Sequence, residues 1–382
     1  MHTAITCLTL LAAGVLAVSA YSDLVSPTVW IVAAYLGLAF PVILICNLLL
    51  LIFLILTRRW HPMLLLLAAL LICSPRIWRY CPMHFGQQEA LTNVMTENGV
   101  EKACPIDTFR VLTYNTRSTG NLRVANLEDK VPVLEMVRSS RADVVCLQEY
   151  HFSLKKGHTE QQLRSLLKME YPYYYLLLNS GSTTMGTAVF SKWPILLHEK
   201  IDTEAKKYFW ASYLELDVHG RRVSLVNCHL QNQAISKENR DVFRQQTRHF
   251  ETDSLGRMED GLRELSPAFR NRTRQVAAIN RYLRDRRKKW DAKHALLICG
   301  DMNDTPVSFA YHALRGNLDD AWQDAGFGPG ITFRELPFWF RIDHIFHSEH
   351  FRTLDVQVLR DATWSDHYPV MATFQLVGSN DN

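Results

Sequence analysis

The first 80 residues carry only five charged side chains, one aspartate and four arginines, spread among three apolar runs. The runs cover about residues 4–20, 28–56 and 63–73, and the last extends at most to Trp78. A helix that crosses a bilayer needs about 20 apolar residues, so we predict a membrane anchor over 1–80 with three transmembrane helices. The second run exceeds the bilayer thickness, so we expect a tilt or a kink at Pro41. The third run is the weakest, because Pro75 and Arg76 interrupt it.

The first run also has a feature of a cleavable signal peptide, because the sequence Ala17–Ala20 is typical of a cleavage site. It lacks a basic start, so an uncleaved helix is favoured over a cleaved one. Arg58 and Arg59 lie between the second and third runs, which places that loop in the cytoplasm. Arg76 and Arg79 favour the opposite orientation, but long domains cross membranes regardless of charge. We therefore predict an integral protein of a bacterial inner membrane whose large domain is extracytoplasmic.

The rest of the chain has nearly equal numbers of acidic and basic side chains. This balance excludes the globally basic surface of a typical nucleic-acid-binding protein. Residues 81–106 form a polar connector, with Cys81 and Cys104 near its ends. The two cysteines can pair in an oxidising compartment or remain free, and the sequence leaves both alternatives open.

The domain over 107–377, which precedes a tail at 378–382, alternates short β-rich runs with helix-like segments. We predict strands at Phe109–Tyr114, Asp143–Leu147, Tyr173–Leu178, Thr187–Phe190, Tyr208–Val218, Val223–Asn227, Ala295–Cys299, Ile342–Phe346 and Pro369–Leu376. Helices are predicted at Glu128–Ser139, Thr159–Met169, Pro267–Arg287 and Val307–Leu314. Several strands are apolar without alternation, which indicates burial on both faces beneath helices. This pattern does not separate two packed sheets from one doubly wound sheet.

Apolar strands in this domain repeatedly run into a residue that can bind a metal or move a proton. These residues are Asn115, Glu149, His229, Asp301 with Asn303, Asp343, and Asp366 with His367. Each alone is more often a turn or core residue than a functional one. Six such strand ends in one domain reverse that preference and predict a shared site at one sheet edge.

Six segments carry a resemblance to a known family. They are "LTYNTR" with Asn115, "VVCLQE" with Glu149, "VNCHLQ" with His229, "GDMNDTP" at 300–306, "RIDHIF" at 341–346 and "SDHYPV" at 365–370. In order and spacing they resemble the endonuclease/exonuclease/phosphatase superfamily, which includes pancreatic-type deoxyribonuclease, abasic-site endonucleases and neutral sphingomyelinases. The resemblance covers about 107–377. It implies an α+β fold, a four-layer sandwich of two packed β-sheets with outer helices. His229 matches the deoxyribonuclease and sphingomyelinase branch, since the abasic-site branch has a tyrosine there.

Hydrolysis of an anionic phosphoester needs a cation on the phosphate, a deprotonated water and stabilisation of the leaving oxygen. The carboxylate and amide oxygens of this set suit Mg²⁺, or Mn²⁺. We expect Glu149 to be the principal metal ligand, with Asn115 and Asp366 beside it. His367 is the candidate general base, and Asp343 would fix its tautomer.

The resemblance assigns the remaining catalytic roles. It implies that Asp301 and Asn303 orient the attacking water and contact the phosphate, and that His229 acts at the phosphate or the leaving group. The predicted catalytic set is His229, Asp301, Asn303, Asp343 and His367, and Asn303 and His229 also bind substrate.

The leading hypothesis is therefore a membrane-anchored, divalent-metal-dependent phosphoesterase. It would act on a phosphodiester, or else on a phosphomonoester, in nucleic acid or phospholipid. A sphingomyelinase-like lipid phosphodiesterase or phosphatase is the alternative, and an inactive scaffold of the same fold is less favoured. The expected partners are that substrate and the lipid bilayer. Loops at 115–127, 179–186 and 231–266 should select the substrate, above all the last, with Gln231, Asn232, Arg240 and Arg244.

Overall fold

A computed structural model describes residues 2–85, 108–117, 131–153, 167–179, 183–203, 210–232, 254–334 and 340–377. Several predictions fall outside the described residues. They are most of the connector with Cys104, the helix predicted at Thr159–Met169 up to residue 166, most of the loops at 115–127 and 231–266 with Arg240 and Arg244, part of the loop at 179–186, and the tail. The chain forms two compact units. The first contains residues 1–82, 232–273 and 304–314, and the second contains residues 83–231, 274–303 and 315–382.

The first unit is built on four apolar helices. They are α1 (His2–Ala20), α2 (Ile31–Leu38), α3 (Phe40–Leu56) and α4 (Trp60–Tyr80), and a 3-10 turn at Ser22–Leu24 follows α1. By length and composition α1 and α4 can each cross a membrane, and α2 with α3 can form a third crossing. The bend of 63° between α2 and α3 lies at the expected kink. Pro41 stands in the first turn of α3, where its missing N–H costs nothing.

The third run forms a helix although Pro75 and Arg76 interrupt its apolar sequence, because α4 continues through them to Tyr80. A proline inside a helix leaves the carbonyl four residues earlier without its usual donor. Here that carbonyl belongs to Leu71, and the Ser74 hydroxyl donates to it over 2.7 Å. The local hydroxyl therefore replaces the lost backbone bond.

These helices expose much of their apolar surface. Leu11, Leu49, Leu56 and Leu71 are all at least 60% exposed. Such a continuous apolar surface is unfavourable in water and suits the interior of a bilayer. Trp60 and Trp78, near opposite ends of α4, are also exposed, as expected for aromatic residues at membrane interfaces.

The second unit contains two six-stranded sheets. The first has the order β11-β12-β1-β2-β4-β3 and the second the order β5-β6-β7-β8-β10-β9. The strands of the first are β1 (Thr108–Asn115), β2 (Val144–Ser153), β3 (Tyr173–Leu178), β4 (Thr183–Ser191), β11 (Phe351–Val358) and β12 (Val370–Leu376). The strands of the second are β5 (Ile195–Ile201), β6 (Ala211–Val218), β7 (Arg221–His229), β8 (Ala295–Asp301), β9 (Asp319–Asp320) and β10 (Asp343–His347). In each sheet one central pair is parallel, β1 with β2 and β7 with β8.

The remaining helices are α5 (Val131–Ser139), α6 (Ser254–Arg287), α7 (Phe309–Arg315) and α8 (Ala321–Ala325). Residues from both sheets, such as Val111 and Leu225, share one buried cluster. The opposite face of the first sheet, with Leu112, packs on Val137 of α5. On the second sheet, the Tyr213 ring packs edge-on against the Tyr282 ring of α6, with centroids 5.3 Å apart. The predicted sandwich of two sheets with helices outside is thus confirmed.

Three strands at sheet edges, β5, β9 and β11, were not predicted. β5 alternates exposed and partly buried residues, and β11 contains a register shift between Thr353 and Asp355. Edge strands bury one face at most, so they lack the continuous apolar run on which the prediction depended. The sequence also predicted the end of a strand at Leu147, whereas β2 continues to Ser153 past a bulge.

Candidate active site

The ends of the parallel strands bring the predicted site residues to one edge of the second unit. β1 ends at Asn115, β7 ends at His229 and β8 ends at Asp301. The ladder pairs His229 with Asp301, and Asp301 with Asp343, the first residue of β10. Asn115 then joins the two sheets, since its Nδ2 donates to Asp301 Oδ2 over 2.8 Å. The shared sheet edge predicted from the sequence is present.

Asp301 lies at the centre of the cluster and is 1% exposed. Its Oδ1 accepts from the backbone N–H of Asn303 over 2.8 Å. Its Oδ2 lies 3.7 Å from Nε2 of His229 and 3.7 Å from Nε2 of His367. Burial raises the pKa of Asp301 to about 6, although the two imidazoles act in the opposite direction. The site therefore holds a carboxylate that water does not stabilise.

Glu149 occupies the bulge of β2, where its φ of 49° lies in the left-handed region. A non-glycine residue rarely adopts this conformation, and such strain is concentrated at functional sites. The bulge turns the carboxylate toward the cluster, with Oε1 3.3 Å from Asn115 Nδ2 and 3.8 Å from His229 Nε2. Burial raises the pKa of Glu149. The side chain is still 24% exposed, so the carboxylate is accessible.

His367 and Asp343 form a hydrogen-bonded pair, with Nδ1 and Oδ2 2.8 Å apart. Burial disfavours the imidazolium, but the charges of Asp343 and Asp301 and this hydrogen bond raise the pKa of His367 to about 10. The Phe333 ring packs on the imidazole with centroids 4.9 Å apart. Asp343 therefore fixes the ring and leaves Nε2 directed at the cluster.

Asp366 stands at the rim of the cluster. Its Oδ2 forms an ion pair with Arg117 at 3.3 Å, and its Oδ1 accepts from the Ser365 hydroxyl over 3.2 Å. The same hydroxyl donates to the Asn115 carbonyl and accepts the backbone N–H of His367. Ser365 thus joins the last motif to the end of β1.

Asn303, like Glu149, has a positive φ, here 51°. Its side-chain amide donates to the Leu230 carbonyl over 2.9 Å, next to His229 in the chain. All eight predicted site residues are therefore brought together. Their assigned roles stay predictions.

Three further residues contact the site residues and were not predicted from the sequence: Arg117, Ser365 and Phe333. Arg117 lies two residues after Asn115, and its backbone N–H donates to the Asn115 side-chain oxygen over 3.0 Å. Arg117 is the last residue of the segment "LTYNTR", and this position is a signal that could have identified it. Phe333 lies 34 residues before His367 in sequence and belongs to no motif, so only the fold reveals its contact with His367.

The donor set fits a hard divalent cation. It consists of carboxylates and an amide, without a thiolate, and such sets select Mg²⁺ or Mn²⁺. Buried carboxylates with raised pKa values gain most from a neighbouring positive charge. The Nδ2 of Asn115 donates to the carboxylates of Glu149 and Asp301. To bind a cation, the Asn115 amide would have to rotate by half a turn so that its oxygen faces the site.

Among the described residues, one group of three has its ligand atoms all within 4.8 Å of one another: Asp301, Asp343 and His367. This group differs from the predicted ligand set. Its Asp343–His367 contact is already a hydrogen bond of 2.8 Å, which leaves no room for an ion between those atoms. Glu149, with its accessible carboxylate, remains the stronger candidate for the principal ligand.

Two packed sheets with a carboxylate, amide and histidine cluster at one edge define a class of hydrolytic enzyme. The endonuclease/exonuclease/phosphatase family model matches residues 112–367, and the chain belongs to this family. Its members are hydrolases that act on phosphoester bonds and generally use a divalent metal. A second family model, described as a domain of unknown function, matches residues 2–80.

Solved structures to which the chain is similar share little sequence with it. An endonuclease/exonuclease/phosphatase from Beutenbergia cavernae is 20% identical with a TM-score of 0.52, over 71% of this chain and 72% of that one. The human Nocturnin catalytic domain is 18% identical with a TM-score of 0.49, over 71% and 95%. Sphingomyelinase C from Streptomyces griseocarneus is 19% identical with a TM-score of 0.49, over 71% and 99%. No curated protein matches the chain at a significant level.

Proposed function

We propose that this protein is a membrane-anchored, Mg²⁺-dependent phosphodiesterase in which His367 activates the attacking water. One observation carries the proposal. The hydrogen-bonded pair of His367 and Asp343 directs Nε2 toward Asp301, beside the accessible carboxylate of Glu149. A base, its orienting group and a cation-binding carboxylate are the parts that metal-assisted phosphoester hydrolysis requires.

The roles of the residues follow from their contacts. Glu149, Asn115 and Asp366 would hold the cation, which neutralises phosphate charge and acidifies a bound water. The neutral form of His367 takes the proton from the attacking water at Nε2, and a cation at Glu149 would favour that form by opposing the carboxylate charges that raise the pKa of His367. Asp343 holds the ring by Nδ1.

Three further residues position the water, the phosphate and the leaving oxygen. Asp301 orients the water, since its carboxylate lies 3.7 Å from Nε2 of His367. The Asn303 amide donates to the carbonyl of Leu230, which follows His229 in the chain. The side chains of Asn303 and His229 would contact the phosphate and the leaving oxygen.

The test uses the full-length protein in detergent with bis(p-nitrophenyl) phosphate and Mg²⁺. We expect turnover that EDTA abolishes and that Mg²⁺ or Mn²⁺ restores. Glu149→Gln and His367→Gln should each lower kcat by at least about 100-fold. Asp361→Asn is the control, because Asp361 is an exposed carboxylate outside the cluster. Equal activity of Glu149→Gln and Asp361→Asn would refute the assignment of the metal ligand.

A lipid phosphodiester is the second candidate substrate, with a phosphomonoester less favoured. The exposed apolar helices α1–α4 would keep the enzyme at a bilayer, and the near-neutral charge of the rest of the chain gives little attraction for a polyanion. Rates on phospholipid vesicles and on plasmid DNA distinguish a lipid substrate from a nucleic-acid substrate. If the protein hydrolyses neither of these nor bis(p-nitrophenyl) phosphate, the result would instead favour an inactive scaffold.

We also propose an inner-membrane location with the catalytic domain outside the cytoplasm. Arg58 and Arg59 would then face the cytoplasm, between α3 and α4. Arg76 and Arg79 opposed this orientation in the sequence, but both form ion pairs with Asp23 and so have a structural reason for their position. Protease digestion of spheroplasts, with detergent-opened cells as the control, tests the orientation.

A further inference from the structure

A carboxylate lies buried in the first unit, next to apolar helices. Asp23, in the turn after α1, is 0% exposed. Its Oδ2 lies 2.7 Å from Arg79 and 3.4 Å from Arg76, both near the end of α4, and 3.7 Å from His312 of α7. Burial of a carboxylate is costly unless cations and hydrogen bonds surround it. A helical anchor needs no such cluster, because apolar helices alone hold a protein in a bilayer.

The other members of this unit include residues 304–314, which follow the "GDMND" motif in the chain. Val307 is fully buried in a cluster with Leu16, Phe40 and Tyr80 of the helices. The Ser22 hydroxyl donates to the Val307 carbonyl over 2.7 Å, and this bond is buried. Arg79 also places its guanidinium over the Tyr311 ring, 5.7 Å from the centroid. The segment is therefore held by apolar burial, a hydrogen bond and charge together.

Gly37 of α2 shows how closely this packing is built. A Cβ at this position would overlap the hydroxyl of Ser22 and lie 3.4 Å from the Val307 carbonyl. Any larger residue would therefore displace the hydroxyl that holds Val307. The lack of a side chain at this position of α2 therefore permits the hydrogen bond between Ser22 and Val307.

The first residue of the held segment, Asp304, directly follows Asn303. The Asp304 carboxylate accepts from Arg272 over 3.0 Å and from the backbone N–H of Thr305 over 3.1 Å. Arg272 is itself fully buried in the same unit. Asn303, meanwhile, has a strained φ of 51° that surrounding structure must maintain. The chain thus passes from a strained site residue into a segment fixed by the helical module.

We propose that residues 2–80 are a positioning module for the active site as well as an anchor, with Ser22 and Asp23 as positioning residues. By fixing residues 304–312, they restrict the conformation of the chain that carries Asp301 and Asn303. The proposal rests on the proposed function only for its effect on the reaction rate. The restraint on the segment is measurable without any substrate.

The chain offers a matched pair of serines for the test. Ser22 and Ser19 are both buried, and each hydroxyl donates to a backbone carbonyl over 2.7 Å. Ser22 holds Val307, whereas Ser19 holds Leu36 within the helical bundle. Ser22→Ala and Ser19→Ala therefore remove the same kind of bond, and only one of them releases the segment. Asp23→Asn, which removes the buried charge, is the stronger variant.

The variants are compared as full-length protein in detergent, by amide hydrogen exchange and by Mg²⁺-dependent hydrolysis of bis(p-nitrophenyl) phosphate. We expect faster exchange at residues 300–312 in Ser22→Ala and Asp23→Asn, with Ser19→Ala like wild type. The kcat should fall roughly ten-fold in these two variants with KM within about two-fold, because small displacements of positioning groups reduce the rate of the chemical step.

Equal exchange in Ser22→Ala and Ser19→Ala at this segment would overturn the proposal, and so would wild-type kcat in Asp23→Asn. If the wild-type chain hydrolyses nothing, the proposed function fails by itself. Exchange at residues 300–312 would then decide alone, with selective loss of protection supporting the restraint and unchanged protection refuting it.

Discussion

The pairing of His367 with Asp343 gives the most direct prediction at the scale of single residues. Asp343→Asn keeps the volume of the side chain and removes the charge that fixes the imidazole. We expect kcat for bis(p-nitrophenyl) phosphate to fall roughly 10²–10⁴-fold, as when an orienting carboxylate is lost from a catalytic triad. Mg²⁺ affinity, measured by calorimetry, should change little, since Asp343 is not among the proposed ligands. A large loss of Mg²⁺ affinity would instead place Asp343 in the metal site.

Glu149 gives a prediction that needs no substrate. A ligand that binds only the folded protein stabilises it, by about 2.7 kcal/mol at 100 times the dissociation constant. Saturating Mg²⁺ should therefore raise the Tm of the wild-type protein and raise that of Glu149→Gln much less. Thermal unfolding with and without EDTA measures both. An equal Mg²⁺-dependent rise in the two proteins would remove Glu149 from the ligand set.

His347 gives a pH prediction outside the active site. Burial acts to lower its pKa, but the hydrogen bond to Asp324, 2.7 Å long, gives a net rise above 6.5. The folded state therefore binds the proton more tightly than the unfolded state. The contribution of protonated His347 to the free energy of unfolding is therefore complete below about pH 6.5. It is lost as the pH rises through the folded pKa. Urea unfolding from pH 5 to pH 8 should show this decline, and Asp324→Asn should reduce it relative to Asp361→Asn.

At the scale of elements, Gly300 allows two central strands, β7 and β8, to approach each other closely. It has a φ of 137°, and a Cβ there would overlap the Cys228 carbonyl of β7. Gly300→Ala should therefore cost at least about 2 kcal/mol of unfolding free energy. Gly220 is the control, since it also has a positive φ, 78°, but among the described residues no atom beyond its chain neighbours lies within 4 Å of its Cβ position. Similar losses in the two variants, measured by urea unfolding, would contradict a role for the close approach.

The sequence predicted the elements of the site better than those of the sheet edges. β8 is buried throughout, so its apolar run from Ala295 to Cys299 was visible without alternation. β9 has two residues and β5 alternates at an edge, so neither gives a run long enough to detect. The bulge at Glu149 was also hidden, because a single residue in a left-handed conformation leaves no mark in hydrophobic periodicity.

At the scale of the whole molecule, the sequence could not show which later segments pack with the apolar helices α1–α4. The prediction treated residues 1–80 as separate from the domain that follows. Residues 304–314 instead share a compact unit with them, through contacts more than 280 residues apart in sequence, such as Ser22 with Val307. Pairings at such separation follow from packing and have no local sequence signal.

This organisation predicts what happens when the helices are removed. In a chain of residues 83–382, Val307, Tyr311 and Phe269 lose helical contacts that bury them, each worth about 1.5–3 kcal/mol. We expect this chain to aggregate or to unfold at a lower Tm than full-length protein in detergent, and the combined change Val307→Ser and Phe269→Ser to improve its solubility. Light scattering and thermal unfolding measure both effects. A monomeric 83–382 chain with the full-length kcat would show that the helices only anchor the protein.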